Sequence, residues 1–106
     1  MDSDERKAPV DMLNIVPMSA SEVVRLYGSR IIGMKSSCGV IISGMTDHAA
    51  ERIIERGMTL TILEDLIINA PIIYPDKEAD RICQQKDEWK LVVSKNTGMI
   101  ITVISR

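Results

Sequence analysis

The stretch "WKLVVSKNTGMIITVIS", residues 89–105, decides the fold. Two runs rich in Val, Ile and Leu flank Lys95-Asn96-Thr97-Gly98. Apolar β-branched runs on either side of a Gly-containing turn read as a β-hairpin. Both runs are nearly all apolar, so the hairpin belongs in the middle of a sheet covered on at least one face. The cover has to come from upstream.

Immediately upstream the pattern is weaker. "IIY" at 72–74 is a short strand that meets Pro75, and residues 81–85 are ambiguous between strand and loop. Before them, Thr59 (or Thr61, with Glu64 three residues on) is placed to cap a helix "LTILEDLIINA" that Pro71 ends. Leu63, Leu66 and Ile67 recur there at helical spacing. Thr46 is a good N-cap for a preceding helix, with Asp47 in its first turn and Gly57 just past its end. Ser19 and Glu22 have capping-box spacing and Gly28 sits where a helix stops, which predicts a first helix over residues 20–27. "RIIGMKS" and "GVIISG" around "SSCG" then read as a hairpin. The fold class is α+β: N-terminal helices packed on a small four- or five-stranded antiparallel sheet.

With 106 residues the chain is long enough for one domain with one modest core. Only Trp89, Tyr27 and Tyr74 carry rings, so aliphatic residues and the seven methionines fill that core. The formal net charge of −2 demands neither nucleic acid nor membrane. Its distribution says more: residues 81–106 hold five bases and two acids, a local +3, and a basic face is what a polyanion feels. Residues 1–11, "MDSDERKAPVD", are charged and aperiodic, and residues 1–18 read as a flexible tail or linker ahead of a single domain over 19–106. Cys38 and Cys83 form no CxxC and read as buried free thiols of a protein made in the cytoplasm. No signal peptide or membrane span is visible, so export, if it occurs, is directed from outside these residues.

The helix "DHAAERIIER" carries the only histidine, His48. Advancing about 100° per residue places Glu51, Arg52, Glu55 and Arg56 within roughly 80° of it, with Ala49, Ala50, Ile53 and Ile54 opposite. An imidazole titrates near neutrality and can serve as a general base. Arg52 and Arg56 offer planar forks that suit phosphate oxygens. A base beside two guanidiniums is what phosphodiester cleavage needs: one group removes a proton, the others stabilise charge building on phosphoryl oxygens. The same face also reads as merely solvated, its Glu and Arg residues pairing for a few tenths of a kcal/mol each. Metal binding has little support, because a structural zinc site wants about four ligands and only His48 and Glu51 lie suitably close. No GxSxG, P-loop or dinucleotide glycine pattern occurs, and Cys83 as a nucleophile needs His48 brought to it by folding.

These residues, taken in order, resemble a bacterial toxin domain family found at the C-termini of polymorphic toxins, LXG-type exported toxins and phage head-associated proteins. The resemblance rests on Gly44, Asp47, His48-Ala49, Glu51-Arg52, Arg56-Gly57, Asn69, Pro71, Thr97-Gly98 and Thr102-Val103, and it spans residues 31–106. That family is in turn similar to the barnase–EndoU–colicin–RelE ribonucleases. The resemblance implies helices packed on an antiparallel sheet whose open face carries RNA. It implies no cofactor and no metal, with the ribose 2′-hydroxyl attacking its own phosphate to leave a cyclic phosphate, which spares DNA. By position, His48 is the acid or base, Arg52 and Arg56 bind phosphate, and Thr102 is a hydrogen-bond partner in the last strand. Thr102 also reads as an ordinary β-former. The local positive excess adds Arg81, Lys86 and Lys95 as backbone contacts. Where many relatives carry an Arg-Pro-Ser-like stretch, this chain has "DRICQQKDEW", which leaves the second acid–base group unidentified.

The expected activity is therefore that of a metal-independent RNA endonuclease toxin, with tRNA, rRNA and message all open as the RNA it cuts. A cognate immunity protein with an acidic surface is its implied partner. Such a toxin is made in the bacterial cytoplasm, exported within a larger protein, and active in the target-cell cytoplasm; no membrane partner is expected. A protein- or RNA-binding module of the same fold without catalysis, and a phage structural domain, are the alternatives. Low aromatic content favours the module slightly, since stacking platforms use rings.

Overall fold

A computed structural model describes residues 19–105 of the chain, so the tail expected over residues 1–18 lies outside the described residues. The elements run α1 (Ala20–Ile31), β1 (Gly44–Met45), α2 (Asp47–Arg56), α3 (Leu60–Asn69), β2 (Ile72–Pro75), β3 (Arg81–Lys86), β4 (Trp89–Ser94) and β5 (Met99–Ser105). The class is α+β. The sheet has five strands in the order β1-β5-β4-β3-β2, and the residues 89–105 hairpin supplies its middle, as its apolar runs require.

Two parts of the expected architecture need correction. The sheet is mixed, not antiparallel: β1 runs parallel to β5, pairing Gly44 with Met99 and Met45 with Ile100. Nor are the helices all N-terminal to the sheet, because β1 precedes α2 and α3. Both follow from the stretch read as a hairpin. Within residues 32–43 there is one isolated antiparallel bridge, Lys35 to Ile41, rather than a pair of sheet strands. The loop does fold back on itself as a short hairpin, with Gly33 N–H donating to the Ile42 carbonyl at 2.8 Å, Ile42 N–H to the Met34 carbonyl at 2.9 Å and Ser36 N–H to the Val40 carbonyl at 2.9 Å, but other backbone groups are engaged elsewhere. Ser37 N–H donates to the Ile67 carbonyl at 2.8 Å, Cys38 N–H to Gln84 Oε1 at 2.9 Å, and Ser43 N–H to the Gly98 carbonyl at 2.9 Å. A donor used by a helix end or a side chain cannot also serve a ladder.

The first helix also outruns its expected end. Gly28 does not stop α1, which continues to Ile31. Val23, Tyr27 and Ile31 repeat at four-residue spacing and are all fully buried. A mid-helix glycine costs about 1 kcal/mol, whereas burying one more isoleucine contributes about 1.5–3 kcal/mol. The caps, by contrast, are where the sequence places them. Ser19 Oγ accepts from Glu22 N–H while Ser19 N–H donates to Glu22 Oε1. Thr46 and Thr59 accept from Ala49 and Ile62 N–H, and Gly57 closes α2 at φ 68°.

The helices cover one face of the sheet. Leu91, Val93, Ile100 and Val103 join Ala49, Ala50, Ile53, Leu63 and Ile67 in the core. Gln84 is fully buried on this face and satisfied at both ends of its amide. Its Nε2 donates to the Leu66 and Ile67 carbonyls at 3.0 and 3.1 Å, and its Oε1 accepts from Cys38. One side chain thus caps the open carbonyls of α3, anchors the 32–43 loop and belongs to β3.

Lys86 ties α3 to β3 a second time, its Nζ 2.6 Å from Asp65 Oδ2. The Lys86 hydrogen bond, helped by one from Asn69, holds the Asp65 carboxyl below the usual carboxylate range. A carboxyl lowered in the folded state stabilises the fold above its unfolded value, near pH 3.9, and that contribution disappears as pH falls through the lower folded value. Urea unfolding at pH 7 and pH 3 tests this: Asp65→Asn should show a smaller acid-induced drop in midpoint than the parent protein. An equal drop would mean the pair does not contribute.

Candidate active site

Helix α2 buries Ala49, Ala50 and Ile53 and turns His48, Glu51, Glu55 and Arg56 to solvent. The face separation read from the sequence is therefore real. Arg52 is half-buried and forms a salt bridge with Glu55. Among the described residues no hydrogen bond or ion pair engages His48 or Arg56. Both are available to a ligand, whereas Arg52 must exchange Glu55 for a phosphate.

The start of α2 is fastened to β5. Thr46 N–H donates to the Ile100 carbonyl at 3.0 Å and Thr46 Oγ1 to the Ile101 carbonyl at 2.8 Å, while the same hydroxyl oxygen caps Ala49. At this point β5 carries a bulge: Val92 pairs with Thr102 but Val93 with Ile100, leaving Ile101 extra. The irregularity frees the Ile101 carbonyl for Thr46 and re-aims the next side chain, Thr102; bulges of this kind are frequent beside active sites. His48 is thus two residues, and Thr102 one residue, from a single direct hydrogen bond. Thr102 is half-exposed, and its own Oγ1 has only a long 3.4 Å contact to the Val103 carbonyl.

Strand alternation assigns the other candidates. Thr102 stands opposite Val92, which stands opposite Cys83, and neither Val92 nor Cys83 is in the helix-side core. Thr102 therefore lies on the face away from the helices, and Arg81, two residues before Cys83, shares that face by the same period. Lys86 does not, being on the helix side with Asp65. Lys95 is exposed in the β4–β5 turn, its N–H donating to the Asp80 carbonyl at 2.7 Å. That turn is braced by Asp80, whose carboxylate accepts from Ser94 Oγ at 2.6 Å and from Asn96 N–H at 3.0 Å. The structure places Thr102 on the open sheet face and His48 on the solvent side of α2, linked along the chain through the Thr46–Ile101 hydrogen bond; it leaves Arg81 and Lys95 around the β3 and β4 ends and separates Lys86 from them.

Cysteine chemistry finds no constellation here. Both thiols are free; Cys83 is buried and directs its Sγ to Asp76 Oδ1 at 3.6 Å rather than to an imidazole, and burial pushes its thiol pKa up. Among the described residues no group of three or more His, Cys, Asp or Glu side chains is placed to hold a metal ion. Among the same described residues, no helix is long and apolar enough to cross a membrane. The open face also carries Tyr74, Gln85 and Lys90, none of which the sequence places in the site. Period-2 alternation through residues 81–85 would have grouped Gln85 with Arg81 had that stretch read as strand.

Comparison of the chain with protein-family models, with curated proteins and with solved structures gives no match.

Proposed function

We propose that the domain is a metal-independent RNA endonuclease that acts as an antibacterial toxin. The observation that carries this reading is the tie between Thr46 and the Ile101 bulge, which joins the helix turn bearing His48 to the strand position bearing Thr102. His48 accepts the proton of a ribose 2′-hydroxyl, and that oxygen attacks the adjacent phosphorus. The bond to the 5′-oxygen breaks, leaving a 2′,3′-cyclic phosphate and a 5′-hydroxyl once the leaving oxygen is protonated. Arg56, with Arg52 released from Glu55, stabilises charge on the phosphoryl oxygens, and Thr102 Oγ1 donates to one of them. Such a toxin is held inactive in its producer by a cognate immunity protein, expected to lay acidic groups over His48 and Arg56. Delivery within a larger exported protein to the target-cell cytoplasm fits this role.

The direct test is incubation with total RNA in EDTA. Discrete fragments ending in cyclic phosphate support the nuclease. Binding without cleavage supports instead the non-catalytic module, for which the charge balance of Glu51 and Glu55 against Arg52 and Arg56 is the favouring observation.

Arg56 separates activity from stability. It is exposed, so Arg56→Ala should shift unfolding free energy by no more than ~0.5 kcal/mol. Loss of one charge-stabilising group should lower the cleavage rate about 100-fold. Single-turnover cleavage and urea unfolding of the same preparation measure both, and parallel losses would assign Arg56 a structural role.

A further inference from the structure

The three aromatic residues have different fates. Tyr27 is fully buried with its hydroxyl on the Met58 carbonyl, and Trp89 packs against the core. Tyr74 stands opposite Cys83 on the sheet face that the helices leave uncovered, and it is half-exposed. Two neighbours hold it. Its hydroxyl donates to Gln85 Oε1 at 3.0 Å, and Lys90 Nζ lies 5.6 Å from its ring centroid. Gln85 and Lys90 are direct cross-strand partners and are also half-exposed.

We propose that Tyr74, Gln85 and Lys90 form a station for one nucleobase of an RNA strand on the open sheet face, a reading that rests on the proposed ribonuclease activity. A ring fixed at its hydroxyl and already attractive to a cation is a pre-organised stacking surface, and base–aromatic stacking is the sequence-tolerant part of single-strand binding. Gln85 spends its carbonyl oxygen on Tyr74, which leaves its two amide N–H donors for the base edge. A uracil carbonyl oxygen or an adenine ring nitrogen accepts one of them, so Gln85 adds affinity without choosing the base. The Lys90 ammonium takes the phosphate of the same nucleotide when the base replaces it over the ring. Tyr74, Cys83, Val92 and Thr102 form one row across four adjacent strands. Three strand spacings make roughly 14 Å between the station and Thr102, so the bound base flanks the scissile phosphate rather than belonging to it.

The bland reading is that Tyr74 shields Cys83 and that the Lys90 stem merely packs on the ring. Affinity for a 2′-O-methyl oligouridine, which cannot be cleaved, distinguishes the two with the full chain. Tyr74→Ala should weaken binding about ten-fold and Tyr74→Phe much less. Lys90→Met, which keeps the stem, should lower the salt slope by about one. Gln85→Ala should weaken 2′-O-methyl oligouridine and oligoadenine alike, by several-fold. Folded variants that bind within two-fold of the parent overturn the station, and cleavage of unmodified RNA by the parent would then leave the nuclease standing. A parent that neither binds nor cleaves removes both. Should Tyr74→Ala fail to fold, an unchanged salt slope in Lys90→Met and an unchanged affinity in Gln85→Ala overturn the station by themselves.

Discussion

His48→Ala is expected to lower RNA cleavage at least ~100-fold, the contribution of a positioned acid–base group. The same change should leave the fold untouched. His48 is exposed in the first turn of α2, and the capping there comes from Thr46. Alanine is also the better helix former, so α2 itself is not weakened. Cleavage of a defined RNA under single-turnover conditions, with far-UV circular dichroism on the same sample, measures both effects. Undiminished cleavage in the purified variant would remove the acid–base role and with it the mechanism built on the α2–β5 corner. Thr102→Val is the companion: it keeps β-branching and the strand, so a loss of rate there reports the hydroxyl.

The largest stability effect is expected at Gly98. Its φ of +79° favours glycine, and an added Cβ would sit 2.2 Å from the Ile41 carbonyl oxygen and 3.2 Å from Ser43 N. Those atoms are not flexible side chains. They belong to the loop that Gly98 itself anchors, through its carbonyl to Ser43 N–H and through the Thr97 carbonyl to Ser43 Oγ at 2.7 Å. Gly98→Ala must move this loop or distort the hairpin turn, and it adds the left-handed penalty. The cost should be at least ~2 kcal/mol, which in a domain of this size lowers Tm by roughly 10 °C. Gly28→Ala is the control. It lies inside α1 with nothing within 4 Å of a built Cβ, so it should be neutral or stabilising by up to about 1 kcal/mol. Thermal unfolding of the pair decides, and equal midpoints would contradict the steric argument.

Local chemistry was legible where one short segment sufficed. Thr46, Thr59 and Gly57 declare the ends of their helices because capping involves atoms three or four residues apart. The residues 89–105 hairpin announces itself through its own turn and its own apolar runs. His48, Arg52 and Arg56 could be put on one face of a helix by counting, since the helical period alone decides that.

What the linear order could not reveal involves partners far apart along the chain. Gly28 reads as a stop signal until Ile31 finds a core to enter. Residues 32–43 do turn back as a short hairpin, but Ile67, Gln84 and Gly98 claim other backbone groups of the segment and keep it out of the sheet. The parallel pairing of β1 with β5 joins residues more than fifty positions apart, as does the bond from Thr46 to Ile101. Lys86 looks like one more base of a positive segment, yet strand alternation turns it toward Asp65 while Lys90 faces the other way. Helix starts, their caps and the central hairpin were readable from the chain alone, because their energetics close within a turn or two of it. The tertiary structure decided which side chains share a surface, because that depends on sheet order and register, and those are selected by burial summed over the whole domain.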